Sequence, residues 1–147
     1  MYEILDVIAD SYIPVLAGIF LLKCVTLIFR GGWGSVTGGI KVLFGLLIVS
    51  YGFMALDQYF RVFERFSLDY STHTAVAFSG VVAIYALSRR VLYLLLISYL
   101  SYVFLMLYQQ YHTLEDILAT LVLIVPFFYL CFYVALGHGF CSKKACP

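Results

Sequence analysis

The sequence predicts an all-α, polytopic membrane bundle. It is a single transmembrane domain, residues 1–147, of about five transmembrane helices, with the N-terminus outside and the C-terminus cytoplasmic. Three observations predict it. Of the 147 residues, 64% are hydrophobic and only 12% charged, a balance foreign to water-soluble domains. The apolar residues gather into five runs, near 13–29, 38–56, 71–87, 91–108 and 117–136, and a spanning helix needs about 20 residues. The connecting segments also alternate in the sign of their charge. A soluble helical bundle would need charged outer faces, and these runs have none.

The first run follows an acidic start, Glu3, Asp6 and Asp10. A cleavable signal begins with positive charge, so this helix is expected to insert uncleaved. Between the first two runs lies the glycine-rich stretch Arg30 to Gly39. It lacks the GK[ST] ending of a phosphate loop and follows no strand, so it reads as a flexible turn with Trp33 at the interface. After the second run, Tyr59, Phe60, Phe63 and Phe66 recur at helical spacing, with Asp57, Arg61, Glu64 and Arg65 on the other faces. This stretch reads as an interfacial helix or a continuation of the second span. The third run reaches span length only if its helix begins near Ser71, which puts His73 in the first turn. A hairpin at Ser88-Arg89-Arg90 leads into the fourth run. In the fifth, Pro126 reads as a kink. Gly137-His138-Gly139 reads as a helix end. Cys24 and Cys131 are expected to be small apolar fillers, and Cys141 and Cys146 free thiols on a cytoplasmic tail.

Charge sets the orientation. With five crossings, one side holds Glu3, Asp6, Asp10, Asp57, Glu64, Asp69, Glu115 and Asp116, against Arg61 and Arg65. The other holds Arg30, Lys41, Arg89, Arg90, Lys143 and Lys144, joined by Lys23, whose ammonium can snorkel there. Short loops rich in Lys and Arg stay cytoplasmic. The acidic side therefore faces the periplasm, lumen or exterior of a bacterial inner membrane or eukaryotic endomembrane.

Two polar clusters open spans on that acidic side: Ser71-Thr72-His73-Thr74 and His112-Thr113-Leu114-Glu115-Asp116. If the second is helical, His112 and Asp116 share one face. The carboxylate would then fix the imidazole tautomer and sharpen the other ring nitrogen as a nucleophile; Glu115, three residues on, competes for that role. His73 follows the capping-type residues Ser71 and Thr72, whose helix start favours an anion. Arg61 and Arg65 are the cations of this side, one helical turn apart, and the guanidinium fork suits phosphate oxygens. A phosphate held there would lie between His112 and His73, the arrangement that in-line displacement with proton donation requires.

At these residues the chain resembles the type 2 phosphatidic acid phosphatase superfamily of membrane lipid phosphatases and phosphotransferases, in a divergent and minimal form. That family carries KxxxxxxRP, then PSGH, then SRxxxxxHxxxD, with a helix hairpin between the last two. Tyr70-Ser71-Thr72-His73 keeps the Ser and His of the second motif, and His112 to Asp116 keeps the HxxxD of the third. Tyr70 and Thr72 replace the family's Pro and Gly, and Leu105-Met106 stands where Ser-Arg would. Lys23 and Arg30 have the spacing of the first motif but lie on the basic side, opposite the histidines. The resemblance, over about residues 57 to 136, implies that His112 attacks phosphorus, Asp116 orients it, His73 protonates the leaving alcohol, and no metal or other cofactor takes part. Phosphate binding then rests on Arg61, Arg65, Ser71 and Thr72.

The expected substrate is a membrane lipid of the phosphatidate, phosphatidylglycerophosphate or polyprenyl phosphate type. A lipid arriving sideways through the bilayer is less opposed by the acidic face than a free anion, although screening over roughly 8–10 Å softens that penalty. No nucleic acid is expected as partner, whereas a homo-oligomer or a larger membrane partner would cover apolar helix surface. Two other readings use the same cluster. One is a metal-dependent hydrolase with zinc on His73, His112 and Asp116 plus Asp69 or Glu115. The other is a non-catalytic small subunit of a membrane complex.

Overall fold

The computed structural model describes residues 2–136. It contains five α-helices: α1 Tyr2–Phe29, α2 Trp33–Phe60, α3 Thr72–Leu87, α4 Leu92–Tyr108 and α5 Leu114–Leu136. One 3-10 turn, Glu64–Phe66, lies between α2 and α3, and another, Arg89–Val91, between α3 and α4. Four of the helices are long and apolar enough to cross a membrane; α3, with 16 residues, is shorter. His138, Cys141, Lys143, Lys144 and Cys146 lie outside the described residues.

The shortest helix is the centre of the molecule. α3 packs on all four others, which form an arc around it in the order α4, α1, α2, α5. Its sequence explains the placement. Ala75, Ala77, Ser79, Ala83 and Ala86 are buried along it, and small residues let neighbouring backbones approach where lipid gives no hydrophobic drive to association. Gly39 of α2 lies so near Leu87 that an added Cβ would overlap it. Deeper in the bundle, the Ser50 and Ser79 hydroxyls join α2 to α3 across 3.1 Å, both fully buried. Each hydroxyl also lies within hydrogen-bond distance of a carbonyl of its own helix, Ser50 of Leu46 and Ser79 of Ala75, so one proton serves a carbonyl while the other bridges the two serines. In hydrocarbon such a contact is worth only about 0.6 kcal/mol on average. On the other flank, Tyr12 of α1 stacks on Tyr102 of α4 at 4.2 Å and shares a hydrogen bond with Ser98.

Several boundaries depart from expectation. α1 begins well before residue 13 and carries Asp6 and Asp10 within it. The glycine-rich stretch is almost wholly helical: only residues 30–32 turn, and α2 starts at Trp33. Gly31 takes φ +74 and closes α1, its N–H bonded to Ile28 and that of Gly32 to Leu27, a Schellman arrangement. Glycines further on are tolerated because membrane helices accept them more readily than soluble ones. The stretch 57–66 is not one helix. α2 continues to Phe60 and stops at Arg61, which adopts a left-handed φ of 51. The Asp57 carboxylate captures the N–H of Phe63 at 2.8 Å and turns the chain away.

Candidate active site

Hydrogen bonds bring the start of α1, the 61–71 loop and the 109–113 loop together at one end of the bundle. Asp6 accepts from Gln109 at 2.6 Å and from the Tyr111 hydroxyl at 3.1 Å. That bond is the main cause holding the exposed Tyr111 phenol above its usual range. Asp69 meets Asp116 and His112. The acids of the described residues thus share one end, and Arg30, Arg89 and Arg90 flank the turns at the other.

The 109–113 loop is built by two terminators back to back. α4 ends in a Schellman arrangement, with Gln110 at φ 58, its N–H on Leu107 and the Tyr111 N–H on Met106. Two residues later a capping box starts α5. The Thr113 hydroxyl accepts from the Asp116 N–H at 3.2 Å, while Asp116 Oδ2 accepts the Thr113 N–H at 2.9 Å and its hydroxyl at 2.7 Å. His112 is therefore stranded between the terminators, outside α5. The helical premise that would place His112 and Asp116 on one face does not hold, because Thr113 is the cap between them.

Asp116 is only 6% exposed, and protein donors occupy its carboxylate. Oδ2 holds Thr113, and Oδ1 accepts the backbone N–H of Asp69 at 2.7 Å. The carboxylate seen by the His112 ring is that of Asp69, whose Oδ2 lies 3.6 Å from Nδ1. That is ion-pair range but too long for a hydrogen bond. Nδ1 itself is buried without a hydrogen-bond partner. Burial is the main reason His112 titrates below its ordinary value. The charges of Asp69 and Asp116 oppose that shift, and the nearby His73 adds to it. Near neutral pH the ring is neutral, the form a nucleophile or base requires.

His73 lies exposed in the first turn of α3, as expected, and within electrostatic range of His112. Its helix start is settled by local chemistry. Ser71 caps α3, accepting from the Thr74 N–H and donating to the Thr74 hydroxyl at 2.7 Å. The Ser71 N–H donates to Thr120 of α5. Ser71 is completely buried, so its hydroxyl serves the cap and not an external phosphate. Thr72, half-buried, opens the helix. Before them, Tyr70 is driven into the bundle against Phe63 and donates to the Ser50 carbonyl at 3.0 Å. Burial pushes its phenol up to about 12.

Two open clefts meet at Asp69. One, of about 540 Å³, is lined by Asp69, Tyr111, His112, Thr113 and Asp116 with Gln110 beside them. The other, of about 440 Å³, is lined by Asp57, Gln58, Arg61, Glu64 and Asp69. Arg61 is highly exposed and loosely paired with Glu64 at 3.6 Å; Arg65, also exposed, follows in the 3-10 turn. The two arginines are thus not neighbours on a continuous helix. Among the described residues no three His, Cys, Asp or Glu side chains converge as metal ligands.

From the sequence, Asp69 enters only as an alternative zinc ligand and not as the carboxylate that faces the imidazole. The pairing spans 43 residues and has no local periodicity. The Thr113-x-x-Asp116 capping signature, by contrast, stands in the sequence and marks where α5 begins. Set against known protein families, curated proteins and solved structures, the chain matches none.

Proposed function

We propose that the protein is an integral membrane phosphatase or phosphotransferase that acts on a phosphorylated lipid through His112. The observation that carries this reading is a neutral, largely buried imidazole, 11% exposed, facing a carboxylate in an open polar cleft at the end of a bundle of membrane-length helices. The second imidazole, His73, stands close by in the first turn of α3.

In this reading all five helices cross the bilayer. α3 completes its crossing despite its length because its neighbours, and not lipid, surround it. The basic turns around Arg30, Arg89 and Arg90 stay cytoplasmic and the acidic end faces outward. A lipid phosphate enters the cleft with its ester oxygen toward His73 and with Arg61, Arg65 and Thr72 as its polar surroundings. The free nitrogen of His112 attacks phosphorus. The N–P bond forms as the P–O bond to the lipid alcohol breaks, and His73 gives its proton to the departing oxygen. Water, or an acceptor alcohol, then attacks the phosphohistidine, passes a proton to His73 and releases the phosphoryl group from His112.

The test is phosphate release from a panel of lipid phosphates by the detergent-purified full chain. His112→Ala should lower it by on the order of 10³-fold or more. Equal release from wild type and variant would overturn the assignment.

A further inference from the structure

We propose that Asp69, not Asp116, is the carboxylate that orients the His112 imidazole, and that Asp116 is the bracket that puts Asp69 there. This deepens the reading above and rests on it for its kinetic consequence.

The geometry assigns the roles by elimination. A carboxylate that orients an imidazole must keep a lone pair for the ring. Asp116 already holds three donors, from Asp69 and Thr113, and among the described residues it is Asp69 whose carboxylate comes within ion-pair distance of the ring. The Asp69 carboxylate accepts no protein hydrogen bond among the described residues, is 75% exposed, and lies 3.6 Å from a buried ring nitrogen that also lacks one. A buried ring nitrogen without a partner and an exposed carboxylate without a protein donor thus face one another across a gap that a small rotation closes.

The loop holding Asp69 is fixed by three successive anchors. The Asp69 N–H goes to Asp116, the Tyr70 hydroxyl to Ser50, and the Ser71 N–H to Thr120. The backbone is therefore pinned while the Asp69 side chain stays free to swing. An Nδ1–H donated to Asp69 leaves the lone pair on Nε2, the nitrogen required for attack. As positive charge develops on the ring, the Asp69 carboxylate moves in and stabilises it.

The charged and titratable groups around His112 are Asp69 from the 61–71 loop, His73 from α3, and Asp116 with the adjacent Glu115 from α5. Tyr111, tied to Asp6 of α1, precedes it. Removing Asp69 takes away a charge that favours the protonated ring, so His112 should lose its proton at lower pH.

The experiment compares Asp69→Asn, Asp69→Glu and His112→Ala in the detergent-purified full chain. Lipid phosphate release is followed across pH, alongside nitrogen NMR of labelled histidine. Asp69→Asn should lower kcat by about 10²-fold, less than the roughly 10⁴-fold seen where such a partner is buried and tightly bonded. KM and the unfolding midpoint should hold, the acid limb of the profile should move to lower pH, and Asp69→Glu should recover part of the rate. Asp69→Asn activity within about threefold of wild type, with an unmoved limb, overturns the proposal while His112→Ala still tests the reaction itself. Should His112→Ala stay active, the reaction fails instead. The NMR titration then decides alone: a His112 resonance that titrates at lower pH in Asp69→Asn supports the pairing, and an unchanged titration overturns it.

Discussion

The two ends of the bundle solve the same problem, reversing a chain between apolar helices, in opposite ways. At the basic end the reversals are short and self-contained. Gly31 supplies the left-handed residue at no steric cost, and a single 3-10 turn at Arg89–Val91 links α3 to α4. At the acidic end the left-handed positions fall to Arg61, Ser67 and Gln110, none of them glycine. There the loops are held by carboxylates: Asp6 ties the 109–113 loop to α1, Asp57 ties the 61–71 loop to α2, and Asp116 ties the two loops together. Strained positions of this kind persist only where their surroundings fix them. One end is a set of self-contained turns and the other a framework, and the two histidines sit in the framework.

That contrast can be broken most severely at Asp116. Asp116→Ala removes an acceptor from two half-buried backbone N–H groups and one hydroxyl. Thermal or denaturant unfolding in detergent should show a loss of about 3 kcal/mol. Phosphate release should fall as the 61–71 and 109–113 loops separate. Thr113→Ala keeps the carboxylate but removes the cap side chain, and should cost about 1 kcal/mol. Arg90→Gln, at the opposite end, should change stability by less than about 0.5 kcal/mol and leave phosphate release within a factor of two. A variant at Arg90 as damaging as one at Asp116 would erase the distinction between the ends.

Hydropathy made most of the fold legible. Where apolar residues run for about 17 to 20 positions the chain has no other way to satisfy its backbone in lipid, and a helix appears at each such run, four of them long enough to span. The central place of α3 was less visible. Its shortness reads from the sequence as weakness, whereas its alanines and serines make it the helix the others wrap. The site was half legible. His73 and His112 stand out because polar residues opening apolar runs are rare. Spacing points to Asp116 as the histidine's partner because it shows only what is near along the chain, whereas the bonds on its carboxylate come from Thr113 and from a loop 47 residues away. Asp69 is invisible to any pattern of that kind, since only the closing of the bundle sets it against the ring.

The arc around α3 is uneven in one further respect. At about 1.5 Å of rise per residue, the 28-residue apolar α2 is about 42 Å long. The 20-residue stretch ending α4 is about 30 Å, and the 22-residue stretch of α5 about 33 Å. A bilayer adjusts to whichever helix it touches, by tilt or by local thinning. Against a hydrocarbon core of about 30 Å, the α4 and α5 stretches fit upright, whereas α2 exceeds it by about 12 Å, an excess that tilt would take up.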